Sequence, residues 1–253
     1  MSFDALEAAR LLVEARRNRK RLPDLPQPPA TLEQAYAVQD AIIGHLGPIG
    51  GWKVGPWRTG EVPACAPIPA RYVHDSPADL PSEEMPDAEA EVEIAVRLAR
   101  SLPPRGTPYG PDDIRAAIAS AHLAIEVISS RFTDRRTVAA LTGIADSQNN
   151  GGIVVGPGRA DWAALDLATV AMRLERDDVE IATAQGGPST EDVMLALAWL
   201  ATHAAERCGG LREGQIVITG ARISPNPIAG SRVRATASGL EPVSLALRPE
   251  TAR

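Results

Sequence analysis

Hydrophobic and polar positions recur along this chain with two different periods. Residues 3–19 place Leu6, Ala9, Leu12 and Val13 on one helical face. A proline-rich connector, "LPDLPQPPA", follows and ends at Thr31. "TLEQ", Thr31 to Gln34, has the form of a capping box and opens a helix expected to run to Leu46 and stop at Gly47. From Gly50 onward period two takes over, in short apolar runs punctuated by Gly and Pro. These predict strands at 51–55, 91–98, 123–129, 152–156, 166–174, 179–184, 214–219, 231–237 and 242–247. Two helices interrupt them. One opens at Pro111 in "PDDIRAAIASAH", with Asp112 and Asp113 in its first turn; the other runs from Ser189 to Arg207, capped by "STED" and stopped by Gly209. The proline-spaced stretch from Gly55 to Leu80 is expected to form a loop over a site. The pattern predicts an α+β protein with a helical lobe at 1–48 and a domain at 49–253 built on a strongly curved sheet or β-roll.

The stretch "DAEAEVEIAV", Asp87 to Val96, departs from ordinary amphipathicity. Glu89, Glu91 and Glu93 share one face of a strand whose other face carries Val92, Ile94 and Val96. Like charges on one face repel, so either water solvates them or a cation lies among them. Glu91 and Glu93 stand roughly 6.5–7 Å apart along the strand, a spacing that lets both side chains converge on one ion. Downstream, Glu126 sits alone between Ile125 and Val127, where an unpaired charge is costly to bury. It needs a metal, an arginine such as Arg131, or hydrogen bonds. Carboxylates without neighbouring His or Cys suit Mg²⁺ or Mn²⁺ rather than zinc. Spacing alone leaves both a solvated outer face and a shared metal site open.

Composition narrows the function classes. A net charge of −6 argues against nucleic acid, which needs a basic face. No run of 18 apolar residues is present, and the charged N-terminus lacks an apolar signal core, so no membrane span or secretory signal is expected. Cys65 and Cys208 are too few and too far apart for a disulfide framework or a zinc site, and a cytoplasmic protein is expected. Of the 26 basic residues only Lys20 and Lys53 are lysines. In so arginine-rich a chain, a retained lysine marks a place where arginine cannot substitute, because lysine shifts its pKa readily when buried. Lys53 lies in "GGWKVGP", where glycines let the backbone approach a ligand.

Two further segments offer polar groups: Asp146, Ser147 and Gln148 in "IADSQNNGGIVVGPG", and Thr219 with Gly220 at the expected strand end of "GQIVITGARISPNPI". Each reads either as a ligand-binding loop or as an ordinary turn. There is no GxSxG elbow, no GxxxxGK[ST] phosphate loop and no HExxH.

Seven segments in order, "AYAVQDAI", "GWKVG", "EVEIAV", "AIEVISSRF", "IADSQNNGGIVVG", "ALAWLA" and "LREGQIVITGA", resemble the 2-keto-4-pentenoate hydratase branch of the fumarylacetoacetate hydrolase superfamily. The resemblance implies a fumarylacetoacetate hydrolase-like mixed β-roll as the catalytic domain. It implies Glu91, Glu93 and Glu126 as ligands to Mg²⁺ or Mn²⁺, and Lys53 as the proton carrier or enolate stabiliser. The implied reaction is hydration of a 2-hydroxydienoate to a 4-hydroxy-2-oxo acid in aromatic catabolism. A metal-dependent 2-oxo acid decarboxylase of the 4-oxalocrotonate type is the alternative, as is a non-catalytic partner subunit of such an enzyme. Also implied are a homo-oligomer and a decarboxylase/hydratase partnership. The chain reads Ser129-Ser130-Arg131 where relatives often have "DSR", and "GPWR" where they have "GLTS". Acylpyruvate hydrolases of the superfamily typically carry a lysine near the segment that here reads "ADSQ", which counts against C–C hydrolysis.

Overall fold

A computed structural model describes residues 3–228 and 230–249. Five helices are present among them: α1 (Ala5–Arg17), α2 (Leu32–Leu46), α3 (Pro111–Arg115), α4 (Ala140–Ala145) and α5 (Thr190–Cys208). Helices α2 and α5 begin and end where the sequence places their caps. Thr31 accepts from the Gln34 amide, while the Gln34 side chain reaches past the cap to the Ala30 amide. Ser189 and Asp192 close a reciprocal capping box, and Gly209 ends α5 in the left-handed conformation.

Twelve strands among the described residues form two sheets. The larger contains β1 (Ile49–Val54), β2 (Cys65–Pro69), β3 (Val73–Asp75), β5 (Glu89–Leu98), β6 (Ile118–Ile128), β7 (Asn150–Val155) and β10 (Ile216–Pro227), in the order β2-β1-β10-β5-β6-β7-β3. The smaller contains β4 (Ala78–Pro81), β8 (Ala171–Arg176), β9 (Val179–Gln185), β11 (Arg232–Ala237) and β12 (Leu240–Arg248), in the order β4-β12-β11-β8-β9. The long antiparallel pair β5–β6 runs through the middle of the large sheet. Val92, Ile94 and Val96 pack in the main core with Val193, Leu197 and Leu200 of α5. On the other face Ala95 and Ala124 pack with Ile153, Ile216 and Ile218. The central strands are therefore buried on both faces, and the glutamates of β5 do not line an outer surface.

Helices α1 and α2 share a separate core of Leu12, Val13, Ala35, Val38 and Ile42, which also takes in Phe132 and Ala145. The apolar face of the helical lobe is thus completed by residues from beyond position 48.

Several elements differ from the sequence reading. The helix expected over 111–122 is only the five residues of α3, because Ile118 to Ile128 pairs along β5; strand pairing overrides the helical propensity of "AAIASA". The stretch 55–80 is not one loop but contributes β2, β3 and β4, with Val54 paired to Cys65 across the first turn. The strand expected at 166–174 begins at Ala171, after the turn at 166–169. The strand expected to end at Thr219 continues to Pro227 through three register shifts against β5. Helix α4 has no counterpart in the sequence reading. Among the described residues no helix is long and apolar enough to cross a membrane.

Candidate metal centre

The antiparallel register of β5 and β6 sets Glu91 directly opposite Glu126, and Glu93 lies two residues further along the same face. One carboxylate oxygen from each comes within 4.8 Å of the others. Glu126 is fully buried, Glu93 is 2% exposed and Glu91 is half-buried. Lys53, on β1, reaches into this cluster. Its Nζ donates to Glu126 Oε1 at 2.6 Å and approaches the Gln148 carbonyl at 3.5 Å. The Asn150 amide also donates to Glu126 Oε1, at 2.8 Å, and the Gly220 backbone N–H donates to Glu93 Oε2 at 2.6 Å. Glu126 Oε2 is buried with no hydrogen-bond partner.

The electrostatics are those of an incomplete cluster. Burial first, and then the Glu126 charge, push the Glu91 carboxyl up to about 7. The same causes hold Glu93 well above the usual carboxylate range. Burial pulls the Lys53 ammonium down, but Glu126, Glu93 and Glu91 together outweigh it and the net shift is upward. One ammonium faces three carboxylates. A divalent cation fits that deficit: the donors are hard oxygens, one of them is an orphan, and a cation among them would offset the burial that holds Glu91 and Glu93 toward their neutral forms. Glu91, Glu93 and Glu126 are the residues that would hold it.

The loop beside the cluster is strained. Ser147, Gln148 and Asn149 all have positive φ, at 49°, 52° and 61°, an uncommon conformation for side-chain-bearing residues in succession. It turns the Gln148 carbonyl toward Lys53 and leaves Gln148 Oε1 and Asn149 Oδ1 buried without partners. Ser147 lines a small cavity between this loop and α1, with Arg16 and Asn150.

Three of the residues read as substrate-binding are committed elsewhere. Asp146 is fully buried and forms an ion pair with Arg131 Nε; its Oδ2 accepts from Ser130 Oγ at 2.9 Å and from the Arg131 amide at 3.1 Å. It anchors the loop. Arg131 is accordingly not the partner of Glu126; Lys53 is. Thr219 Oγ1 donates to the Ile94 carbonyl at 2.8 Å, and the Gly220 amide is spent on Glu93. Their strand does not end there, so no free amides are presented. At φ 100°, Gly220 adopts a backbone conformation that a side chain would disfavour, and its amide thereby fixes a carboxylate rather than a substrate.

Sequence reasoning passed over Asn150 as a site-builder, and considered Arg131 only as a partner for Glu126 rather than for Asp146. Asn150 opens a strand of otherwise apolar and glycine positions, and a buried amide in that setting was the available signal.

No protein-family model matches the chain. It is 32% identical over 150 residues to a 2-keto-4-pentenoate hydratase of Paraburkholderia phymatum, an alignment covering 59% of this chain and 55% of the relative. The chain thus spans about half the length of that curated relative. It is 26% identical over 231 residues to a 2-oxo-hept-4-ene-1,7-dioate hydratase of Escherichia coli, covering 85% of each. Among solved structures, 4-oxalocrotonate decarboxylase from Pseudomonas putida G7, complexed with magnesium and adipate, superposes with a TM-score of 0.83 at 22% identity, over 96% of this chain and 97% of the other. The fold is that of the fumarylacetoacetate hydrolase superfamily, and the resemblance to 2-keto-4-pentenoate hydratases read from the sequence is borne out.

Proposed function

We propose that this relative of the 2-keto-4-pentenoate hydratases is a divalent-metal-dependent hydro-lyase that adds water to a 2-hydroxydienoate or 2-oxoalkenoate, giving a 4-hydroxy-2-oxo acid. The observation that carries the reading is the convergence of Glu91, Glu93 and Glu126 on one point with the Lys53 ammonium against Glu126. Mg²⁺, or Mn²⁺ in its place, would supply Lewis-acid polarisation of the 2-oxo acid head. Lys53 holds a proton at Nζ inside a buried site, against one of the carboxylates that would hold the metal; it is the group that moves the proton when the dienol ketonises. Arginine would not serve, since its proton is too tightly held. Asn150 and Gly220 orient Glu126 and Glu93. The strained 147–149 loop sets the Gln148 carbonyl 3.5 Å from the Lys53 Nζ, a second acceptor that orients the ammonium.

Names of the relatives include a five-carbon monoacid and a seven-carbon diacid, so the tail of the substrate follows from the chain's own residues. A metal-dependent decarboxylation of a 2-oxo acid is the second reading, favoured by the breadth of the superposition on 4-oxalocrotonate decarboxylase. Assembly as a homo-oligomer, or with a decarboxylase partner, belongs to the same proposal.

The test is proton NMR of freshly generated 2-hydroxypenta-2,4-dienoate mixed with the protein and Mg²⁺, repeated with EDTA. Appearance of 4-hydroxy-2-oxopentanoate, abolished by EDTA, is the expected result. Release of CO₂ from 4-oxalocrotonate without hydration of the dienoate would replace hydratase by decarboxylase. Turnover of neither would remove the catalytic reading.

A further inference from the structure

Most of the arginines near the metal centre already have partners. Arg131 is consumed by Asp146, Ser129 and Asn150. A cavity of about 420 Å³ beside Glu89 is lined by Arg21, Arg135 and Arg136, but these pair with Asp87, Glu89 and Asp134 respectively. Arg58 is well exposed and within 3.5 Å of Glu61. Arg16 covers the Tyr72 ring at 3.4 Å and donates to the Gly151 carbonyl, which leaves a single buried nitrogen, Nε, without a partner.

Arg222 is different. Its Nε and Nη1 are buried with no hydrogen-bond partner, and its remaining contact is Nη2 to the Pro188 carbonyl at 3.3 Å. The register of β10 against β5 makes it an extra residue. Ala221 pairs with Glu93 and Ile223 with Val92, so Arg222 occupies a bulge immediately beside a metal-ligand candidate. Bulges re-aim side chains next to active sites. Room for the guanidinium is provided by Gly187, where a Cβ would come within 2.8 Å of Arg222 Cγ and Nε. Burial pulls the Arg222 pKa down to about 10, and Glu93 is the charge that opposes this shift. Glu93 would also be engaged by the metal and is held by Gly220. A half-buried guanidinium with two buried, idle donors is costly unless an anion supplies acceptors. Its planar fork matches a carboxylate.

Resting on the reading that the head of a 2-oxo acid lies at Glu91, Glu93 and Glu126, we infer that Arg222 is the specificity-determining residue for a second carboxylate at the far end of the substrate. The substrate class is then a 2-oxo dicarboxylic acid or its dienol, not a 2-oxo monoacid. The head of such a molecule is accounted for at the glutamate cluster, which leaves the tail as the anion available to Arg222.

A matched pair of unreactive ligands separates head from tail: 2-oxoadipate and 2-oxohexanoate differ only in the distal carboxylate. Titration calorimetry of the full chain in saturating Mg²⁺ is expected to show 2-oxoadipate bound tighter by on the order of 10–100-fold. Arg222→Gln should bring that ratio close to one, and Arg222→Lys, which keeps the charge but loses the fork, should retain an intermediate ratio. The Lys variant also preserves the test if the Gln variant does not fold by circular dichroism. An unchanged ratio in either folded variant, or equal binding of the two acids by the parent protein, overturns the role of Arg222 while leaving the head site standing. Collapse of the ratio in Arg135→Gln but not in Arg222→Gln moves the subsite to the cavity beside Glu89 and likewise overturns it. Binding of neither acid by the parent protein removes this inference together with the functional reading on which it rests.

Discussion

Two buried ion pairs contact the 146–150 segment, and they are built to different standards of completeness. In Arg131–Asp146 nearly every donor and acceptor is spent. Asp146 takes bonds from Arg131 Nε, the Arg131 amide and Ser130, while the guanidinium also serves the carbonyls of Ser129, Asp146 and Asn150. In Lys53–Glu126 the carboxylate has one orphan oxygen, and two more glutamates crowd the same point. Both pairs are equally dry. The difference is that one closes its charge balance within the chain and the other leaves it open. A satisfied buried pair locks geometry; an unsatisfied one marks where something else binds.

The sharpest way to break the comparison is at the open pair. Glu126→Gln is expected to abolish Mg²⁺ and Mn²⁺ binding in calorimetry and to lower turnover by at least two orders of magnitude, above the roughly 10–100-fold typical of losing an outer-shell partner. Metal affinity close to that of the parent would contradict the assignment of the triad.

Lys53→Met is expected to lower kcat by roughly 10²–10⁴-fold. Its affinity for Mn²⁺ should not weaken, since a cation that competes for Glu126 has been removed. Loss of metal binding along with activity would make Lys53 a scaffold rather than a proton carrier.

At the closed pair the effect should fall on stability. Asp146→Ala strands the Arg131 guanidinium in a dry loop and should cost about 3–5 kcal/mol, read as a lower urea midpoint. A loss under ~1 kcal/mol would mean that Arg131 finds other acceptors, and that the two pairs are less different than their geometry indicates. The smallest change is Ser130→Ala, which removes one of several bonds to Asp146 and should cost about 1 kcal/mol. A much larger loss would show that the serine, not the arginine, holds the loop.

Much of this protein was legible along the chain because the relevant signals are local. Caps at Thr31, Ser189 and Gly209 fix helix ends through bonds spanning a few residues. The alternation around Glu91 fixes a strand with three carboxylates on one face, and the rarity of lysine singles out Lys53. These local features gave the candidate metal ligands, and β5 and β6 then brought them together.

What the tertiary structure alone decided is which charges meet. Glu126 could have paired with Arg131, five residues away; it pairs with Lys53, 73 residues distant, because β1 and β6 lie on the same sheet with β10 and β5 between them. Asp146, Thr219 and Gly220 looked like ligand-binding groups until their partners were known. Alternation and capping are properties of neighbours in sequence, whereas the satisfaction of a buried polar group depends on residues that only folding brings within about 3 Å. That is why the sequence could name the carboxylates, and why only the fold could tell the finished pair from the unfinished one.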